Sequence, residues 1–293
     1  MNMDNLKIND FTFEWGTRTY VMGILNLTPD SFSGDGLADL DQETALRKAR
    51  DFVRSGVDIL DIGGESTRPG AALVSAQEEM DRVLPIISLL VGEFDTLISI
   101  DTYKAEVAEA ALKEGADIVN DVWSLRADPG LGQIAAAAGV PIILMHNRSN
   151  PSNAAVKEQL GGRYIGVDYN NLLEDVKSEL LESISLAHKA GIPDQHIILD
   201  PGIGFGKTVP QNLELLDRLD EIRELGYPVL LGPSRKSFIG YTLDLPPEDR
   251  IEGTAAAVAV GIVRGADIIR VHDLPEMIKV IRMTDALVRR KKI

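Results

Sequence analysis

Polar side chains with chemistry to offer stand at the ends of apolar runs, where a buried strand has no use for them. The run at 20–26 ends in Asn26, that at 58–64 carries Asp61, and that at 97–101 ends in Asp101. The runs at 117–121, 141–146 and 197–202 bring Asn120 and Asp121, His146, and Asp200. The run at 228–236 ends in Lys236, and that at 267–273 carries Arg270 and His272. A buried carboxylate without a partner is expensive, so Asp101 and Asp200 must each meet a cation, donors or a ligand. A heterocycle with adjacent N–H groups would satisfy one with both oxygens; an internal arginine or lysine would also do. Arg270 and His272 share a face because strand side chains alternate with period two. With Asn26, Thr67 and Arg68 they form a candidate phosphate or diphosphate site. The competing reading gives Arg270 a salt bridge to Asp101 or Asp121.

Eight such runs, separated by stretches long enough for helices, predict an α/β fold, a closed (β/α)8 TIM barrel. In that architecture the loops after the strands make one face, so the polar terminators should converge on one cavity there. Helices are expected at Asp41–Ser55, Ser75–Leu90, Lys104–Lys113, Asp168–Lys189, Pro210–Leu225, Glu248–Arg264 and Pro275–Arg289. Ser75 with Glu78 reads as a capping box. A recurring helix–glycine–strand turn at Gly56, Gly115, Gly139 and Gly265 supports a repeated unit. A barrel of this kind needs ~250 residues, so the 293 residues form one domain, with 1–18 as a β-hairpin closing the barrel bottom. Loops 29–40 and 65–75 are expected to be mobile covers over a substrate, and 147–166 a floppy insert.

The segment Asp200-Pro201-Gly202-Ile203-Gly204-Phe205-Gly206-Lys207-Thr208 fails as a P-loop by one position and lacks dinucleotide-binding spacing. It remains a glycine-rich turn after a strand ending in a carboxylate, whose backbone can approach a flat ligand walled by Phe205. Ser234-Arg235-Lys236-Ser237 follows the seventh run, in the region where parallel barrels usually bind anions. The four histidines are scattered, His188 and His196 reading as structural, so a dedicated metal site is not expected. A Mg²⁺ arriving with a diphosphate and leaning on Asn26 fits an ion that keeps most of its waters. The absence of cysteine excludes thiolate chemistry and suits a reducing cytoplasm. A net charge of −15 opposes nucleic-acid binding, no segment suits a membrane span, and the N-terminus does not read as a signal peptide.

Taken together, residues 23–33, 61–70, 99–102, 120–121, 144–146, 200–205, 234–237 and 270–273 resemble the dihydropteroate synthase family of folate biosynthesis, over a region from about residue 18 to the end. That resemblance implies condensation of (7,8-dihydropterin-6-yl)methyl diphosphate with 4-aminobenzoate to give 7,8-dihydropteroate and diphosphate. It implies that Asp200, Asn120, Asp101, Lys236, Met145, Phe205 and Gly232 hold the pterin. Asn26, Thr67, Arg270 and His272 would take the diphosphate, with Mg²⁺ against Asn26. Ser33, Thr67, Arg68, Pro69 and Ser237 would bind the aminobenzoate, with Asp35 over it. Asp101, Asp35, Lys236 and Arg270 are the implied catalytic set, and a homodimer through the last helices the implied assembly. Two other readings stay open. A pterin barrel moving a methyl group to a corrinoid partner would share the Asp and Asn grips but not need the diphosphate set. An idle paralogue would be expected to have lost loop or diphosphate residues.

Overall fold

The computed structural model describes residues 3–28, 42–66, 71, 73–149, 154–157, 160–164 and 168–289. Two short strands open the chain, β1 (Leu6–Ile8) and β2 (Phe11–Phe13), paired antiparallel around Asn9. The barrel staves follow as β3 (Tyr20–Asn26), β4 (Ile59–Gly63), β5 (Leu97–Asp101), β6 (Ile118–Asp121) and β7 (Ile142–Met145). After a second hairpin, β8 (Ala154–Lys157) with β9 (Gly161–Tyr164), come β10 (Ile197–Asp200), β11 (Leu230–Leu231) and β12 (Ile268–Val271). All eight staves run parallel, in the order β10-β7-β6-β5-β4-β3-β12-β11. The two edges meet through a single bridge, Leu199 with Val229, and the Leu199 amide donating to Pro228 O at 2.9 Å. The ring is thereby closed, as the repeated unit predicts.

Helices α1 (Gln42–Ser55), α2 (Ala76–Glu93), α3 (Ala105–Lys113), α4 (Gly130–Ala138) and α5 (Leu172–Ala190) belong to the first half. The second half holds α6 (Val209–Asp217), α7 (Leu219–Arg223), α8 (Ser237–Leu243), α9 (Ile251–Val263) and α10 (Leu274–Val288). The expected helix at 210–225 is thus two, broken at Arg218 (φ −109°, ψ 28°). The repeated glycine turn is present at all four positions, with φ from +67° at Gly139 to +106° at Gly115. Ser75 caps α2 through the Glu78 amide, but the Glu78 side chain turns to Arg82, so the reciprocal half of the box is missing. Thr208 and Gln211 form a complete box on α6 instead. The expected floppy insert is corrected in part: its backbone at Ala154–Lys157 pairs with Gly161–Tyr164 as β8 and β9 in antiparallel register, while 150–153, 158–159 and 165–167 lie outside the described residues. Loop 29–40 and residues 67–70 and 72 of the second loop lie outside the described residues.

The staves read as unbroken apolar runs because both faces are covered. Outward residues such as Val21, Leu60, Ile98, Val119 and Ile269 pack against helices in one large cluster. Inward residues form a separate one: Tyr20, Met22, Ile59, Leu97, Ile118, Ile143, Ile198, Leu230 and Ile268 surround Leu6, Ile8 and Phe13. The hairpin therefore plugs the N-terminal mouth. Phe13 is 0% exposed, stacked on Trp15 at 4.9 Å and tilted against Tyr20 at 4.6 Å. Phe13→Ala is expected to lower unfolding stability by about 3–5 kcal/mol while leaving kcat unchanged, because the plug lies at the end away from the polar rim. Urea unfolding checks the first figure; a loss within about 0.5 kcal/mol, the size of a surface change, would mean that the hairpin merely lies against the barrel.

Candidate active site

Two residues beyond each inward apolar residue, the period-two rule brings a second residue to the barrel interior. From Ile59, Ile118, Ile143, Ile198, Leu230 and Ile268 that step reaches Asp61, Asn120, Met145, Asp200, Gly232 and Arg270; from Leu97 it reaches Ser99 and then Asp101. An apolar floor is thus followed at once by a polar layer at the C-terminal mouth.

Arg270 organises that layer. Its Nε donates to Asp61 Oδ2 and its Nη2 to Asp101 Oδ2, both at 2.6 Å. Asn120 Nδ2 reaches Asp61 Oδ1 and Oδ2 at 3.4 and 3.3 Å. The competing reading of Arg270 is therefore observed for Asp101. Asp121 is not its partner: it accepts the Trp123 and Leu125 amides at 2.8 and 2.6 Å, fixing a turn in which Ser124 and Leu125 have positive φ. Desolvation pushes Asp101 up to about 7 against the pull of Arg270, with Asp61 adding repulsion. Arg270, despite desolvation, is held above its ordinary value by the two carboxylates. Asp61, expected at the cavity as a polar strand end but given no role there, is the fully buried member of the cluster, placed by its phase relative to Ile59.

Asp200 is 6% exposed and accepts the Gly202 amide at 2.7 Å on Oδ1. Burial raises its pKa, and Lys236, Arg270 and Lys207 oppose that rise. Gly202 has φ +69°, and an added Cβ would stand 1.8 Å from His146 O, so only glycine fits where the turn crosses the end of β7. Lys236 donates from Nζ to Ile203 O and lies 4.7 Å over the Phe205 ring. Desolvation lowers it to about 8. It follows Arg235, which is left-handed at φ +56° and donates two hydrogen bonds to the Asp273 carboxylate, so the strain is confined to a residue locked in place. Ser237 begins α8 directly after Lys236.

Asn26 ends β3 opposite Gly63, and a Cβ added to that glycine would stand 3.6 Å from Asn26 Oδ1 and 3.5 Å from Asp101 Cβ. His272 turns its Nδ1 to Ser234 Oγ at 3.0 Å. Met145 is buried beside Asp200 in register, and Gly232 leaves ordinary contact distance to Arg270. His146, expected in the same cavity, is bonded elsewhere: it accepts from Lys207 at 2.9 Å and faces Glu179 at 3.1 Å, because it stands one residue out of phase with Met145. Ser33, Asp35, Thr67, Arg68 and Pro69 lie outside the described residues. His188, expected to be structural, pairs with Asp194 at 2.8 Å. Among the described residues no group of three or more His, Cys, Asp or Glu could hold a metal ion, and no helix is long and apolar enough to cross a membrane.

The mouth thus gathers carboxylates at Asp61, Asp101 and Asp200, the Asn120 amide and the cations Arg270 and Lys236. Comparison with known proteins identifies the family. The pattern of the family described as "Pterin binding enzyme" matches residues 22–272. A dihydropteroate synthase of Clostridium beijerinckii is 49% identical over 286 residues, 97% of this chain and 100% of that protein. A solved dihydropteroate synthase from Clostridium difficile, crystallised in the presence of pteroic acid, superposes with a TM-score of 0.85 at 46% identity, covering 95% of this chain and 100% of that one. Another, from Xanthomonas albilineans with 4-aminobenzoic acid, gives 0.86 at 38% identity, covering 97% and 98%.

Proposed function

Because the chain belongs to the dihydropteroate synthases, pterin-binding transferases that make 7,8-dihydropteroate from (7,8-dihydropterin-6-yl)methyl diphosphate and 4-aminobenzoate, we propose how its barrel rim divides that work. The observation that carries the proposal is the interior layer in which Arg270 joins Asp61 to Asp101, with Asp200 at the end of β10 and Lys236 in the loop after β11, their charges opposed. Asp200 keeps one oxygen on the Gly202 amide and offers the other to the pterin N3–H and 2-amino group. Asn120 and Asp101 hold the ring's other nitrogen edge, and Lys236 donates to O4 and N5. Met145, Phe205 and Gly232 line the slot.

The bond that breaks joins the pterin methylene to diphosphate oxygen; the bond that forms joins the same carbon to the aniline nitrogen. Arg270, His272, Asn26 and Thr67 take the departing anion. Asp101, with Asp35 beside it, faces the cation left on the methylene and conjugated ring. An aniline is already neutral at pH 7, and the acidic proton of the anilinium formed on attack passes to water or the departing diphosphate, so no strong base is needed; positioning with preorganised charge supplies the acceleration. Asn26 offers one neutral oxygen, and the nearest carboxylates are engaged by Arg270. That donor set fits a Mg²⁺ that travels on the diphosphate and keeps its waters, not a resident ion. Such an ion would neutralise charge on the leaving group.

Ser33, Thr67, Arg68, Pro69 and Ser237 take the aminobenzoate in this reading. Arg68→Ala is expected to weaken 4-aminobenzoate by more than about tenfold, the loss of a charge-assisted hydrogen bond, and to leave pterin diphosphate binding within about twofold. Titration calorimetry of each ligand checks the difference. We place the reaction in the cytoplasm, in keeping with a sequence free of cysteine. We further propose a homodimer through α9 and α10, supported by Val263, Met283 and Leu287, which are 59, 60 and 53% exposed. The deciding experiment for the activity is a coupled assay of diphosphate release. Release should require both 4-aminobenzoate and the pterin diphosphate; release with the pterin alone, or none with both, would overturn it.

A further inference from the structure

Behind the glycine-rich turn lies a charged group for which the reaction itself has no use. Lys207 is 4% exposed, yet its Nζ donates to Gly202 O at 2.9 Å, Phe205 O at 3.1 Å and His146 Nδ1 at 2.9 Å. An ammonium has three protons, and here each has an acceptor. A neutral amine has two, so one acceptor would go without. Because Nδ1 accepts, the His146 ring proton sits on Nε2, which faces Glu179 Oε2 at 3.1 Å. Glu179 is anchored in turn by Arg148, whose Nε donates to its Oε1 at 2.6 Å. Lys207, His146 and Glu179 thus stand in line, Lys207 donating to Nδ1 while Nε2 lies against the Glu179 carboxylate without the alignment of a hydrogen bond. Burial alone would drive the lysine to neutrality, and desolvation does lower it, to about 7. The carboxylates of Asp200 and Glu179 oppose that loss.

The turn is gripped from its other side as well. Lys236 donates to Ile203 O, Tyr169 Oη to Gly206 O at 3.1 Å, and the Gly204 amide to Asn212 Oδ1 at 2.6 Å. Two lysines thus hold successive carbonyls of one turn, Lys236 from within the site and Lys207 from behind it. The Gly202 whose carbonyl Lys207 holds is also the residue whose amide fixes Asp200.

We propose that Lys207 is the positioning residue of the pterin pocket: backed by His146 and the Glu179 charge behind it, it clamps the 202–206 turn so that Asp200 and Phe205 meet the ring. This rests on the pterin reading of the site, and it goes further by giving a role to three side chains that touch no substrate. Lys207→Met keeps most of the length and removes the donors. It is expected to raise KM for the pterin diphosphate by about tenfold or more, the scale of lost charged hydrogen bonds, with KM for 4-aminobenzoate within about twofold. Glu179→Gln, at the far and more exposed end, should show the same split at about two- to fivefold and serves if the first variant does not fold. The nitrogen-15 shifts of His146 in the ligand-free wild type should report a ring protonated on Nε2 and bare on Nδ1. Equal rises in both KM values, an unchanged pterin KM, or a proton on Nδ1 would each overturn the clamp. Wild type without two-substrate diphosphate release would count against the pterin reading alone, since the tautomer is read without substrate.

Discussion

Asp101→Asn is expected to lower kcat by about 10²- to 10³-fold, the range for removing one preorganised charge-stabilising group, while the Kd for the pterin diphosphate moves by less than about fivefold. An asparagine keeps an oxygen for the ring edge, so ground-state binding largely survives. What disappears is the negative charge, and the positive charge it would face develops only as diphosphate departs. Asp101 is suited to that task by its place: it closes β5 opposite Asn120, next to Gly63, with one oxygen already fixed by Arg270. With its carboxyl pushed up to about 7, the working ionised form is gained as pH rises through neutrality. The wild-type kcat/KM should therefore climb across that range, and the asparagine variant should lose the acid limb. Single-turnover rates and equilibrium titration, each taken across pH, separate the two quantities. Equal losses in both would remove Asp101 from the chemical step.

Arg270→Met should abolish turnover and also destabilise the fold by about 3–5 kcal/mol at pH 8, the usual result of leaving buried charge without its counter-charge. The arginine is the shared partner of Asp61, which is 0% exposed, and Asp101. Without it two carboxylates face one another in the barrel mouth, and at least one takes up a proton rather than remain charged. The sign of the pH dependence follows. A carboxyl raised in the folded state above its unfolded value of about 3.9 contributes stability below that value and loses it as pH rises through the folded pKa. The variant should therefore approach the wild type near pH 5 and fall furthest behind at pH 8. Chemical unfolding at the two pH values tests this; a deficit independent of pH would mean that packing, not charge, holds Arg270.

Much of this arrangement was legible in the residues, for a reason that can be stated. Eight apolar runs with polar ends determine which face of a barrel carries chemistry, and the alternation around Asn9 marks the N-terminal hairpin. Choosing among the polar ends needed one further step, the inward phase anchored on residues such as Ile59, Ile118 and Ile198. That phase keeps Asp61, Asn120 and Asp200 and sends Asp121 to a turn and His146 to Lys207. Other features depend on contacts distant in sequence. Lys207 acquires its role only when the turn folds over the end of β7, and Glu179 only when α5 packs beside it. The seventh stave shrinks to Leu230–Leu231 because Pro228 and Pro233, either side, have no N–H to give to a ladder. The pairing of Ala154–Lys157 with Gly161–Tyr164 carries too little alternation to announce itself.

That shortened stave has a mechanical consequence. Its junction with β10 is held by one bridge and one amide, whereas β3 and β4 share five registered pairs, Met22 to Ile59 through Asn26 to Gly63. Fewer ladder bonds make that seam the easiest to part, and Asp200 and Lys236 stand on its two sides. What the ladder leaves thin there is tied by side chains: Lys236 reaches Ile203 O across the seam, so the charge that faces the flat ring also fastens the wall behind it.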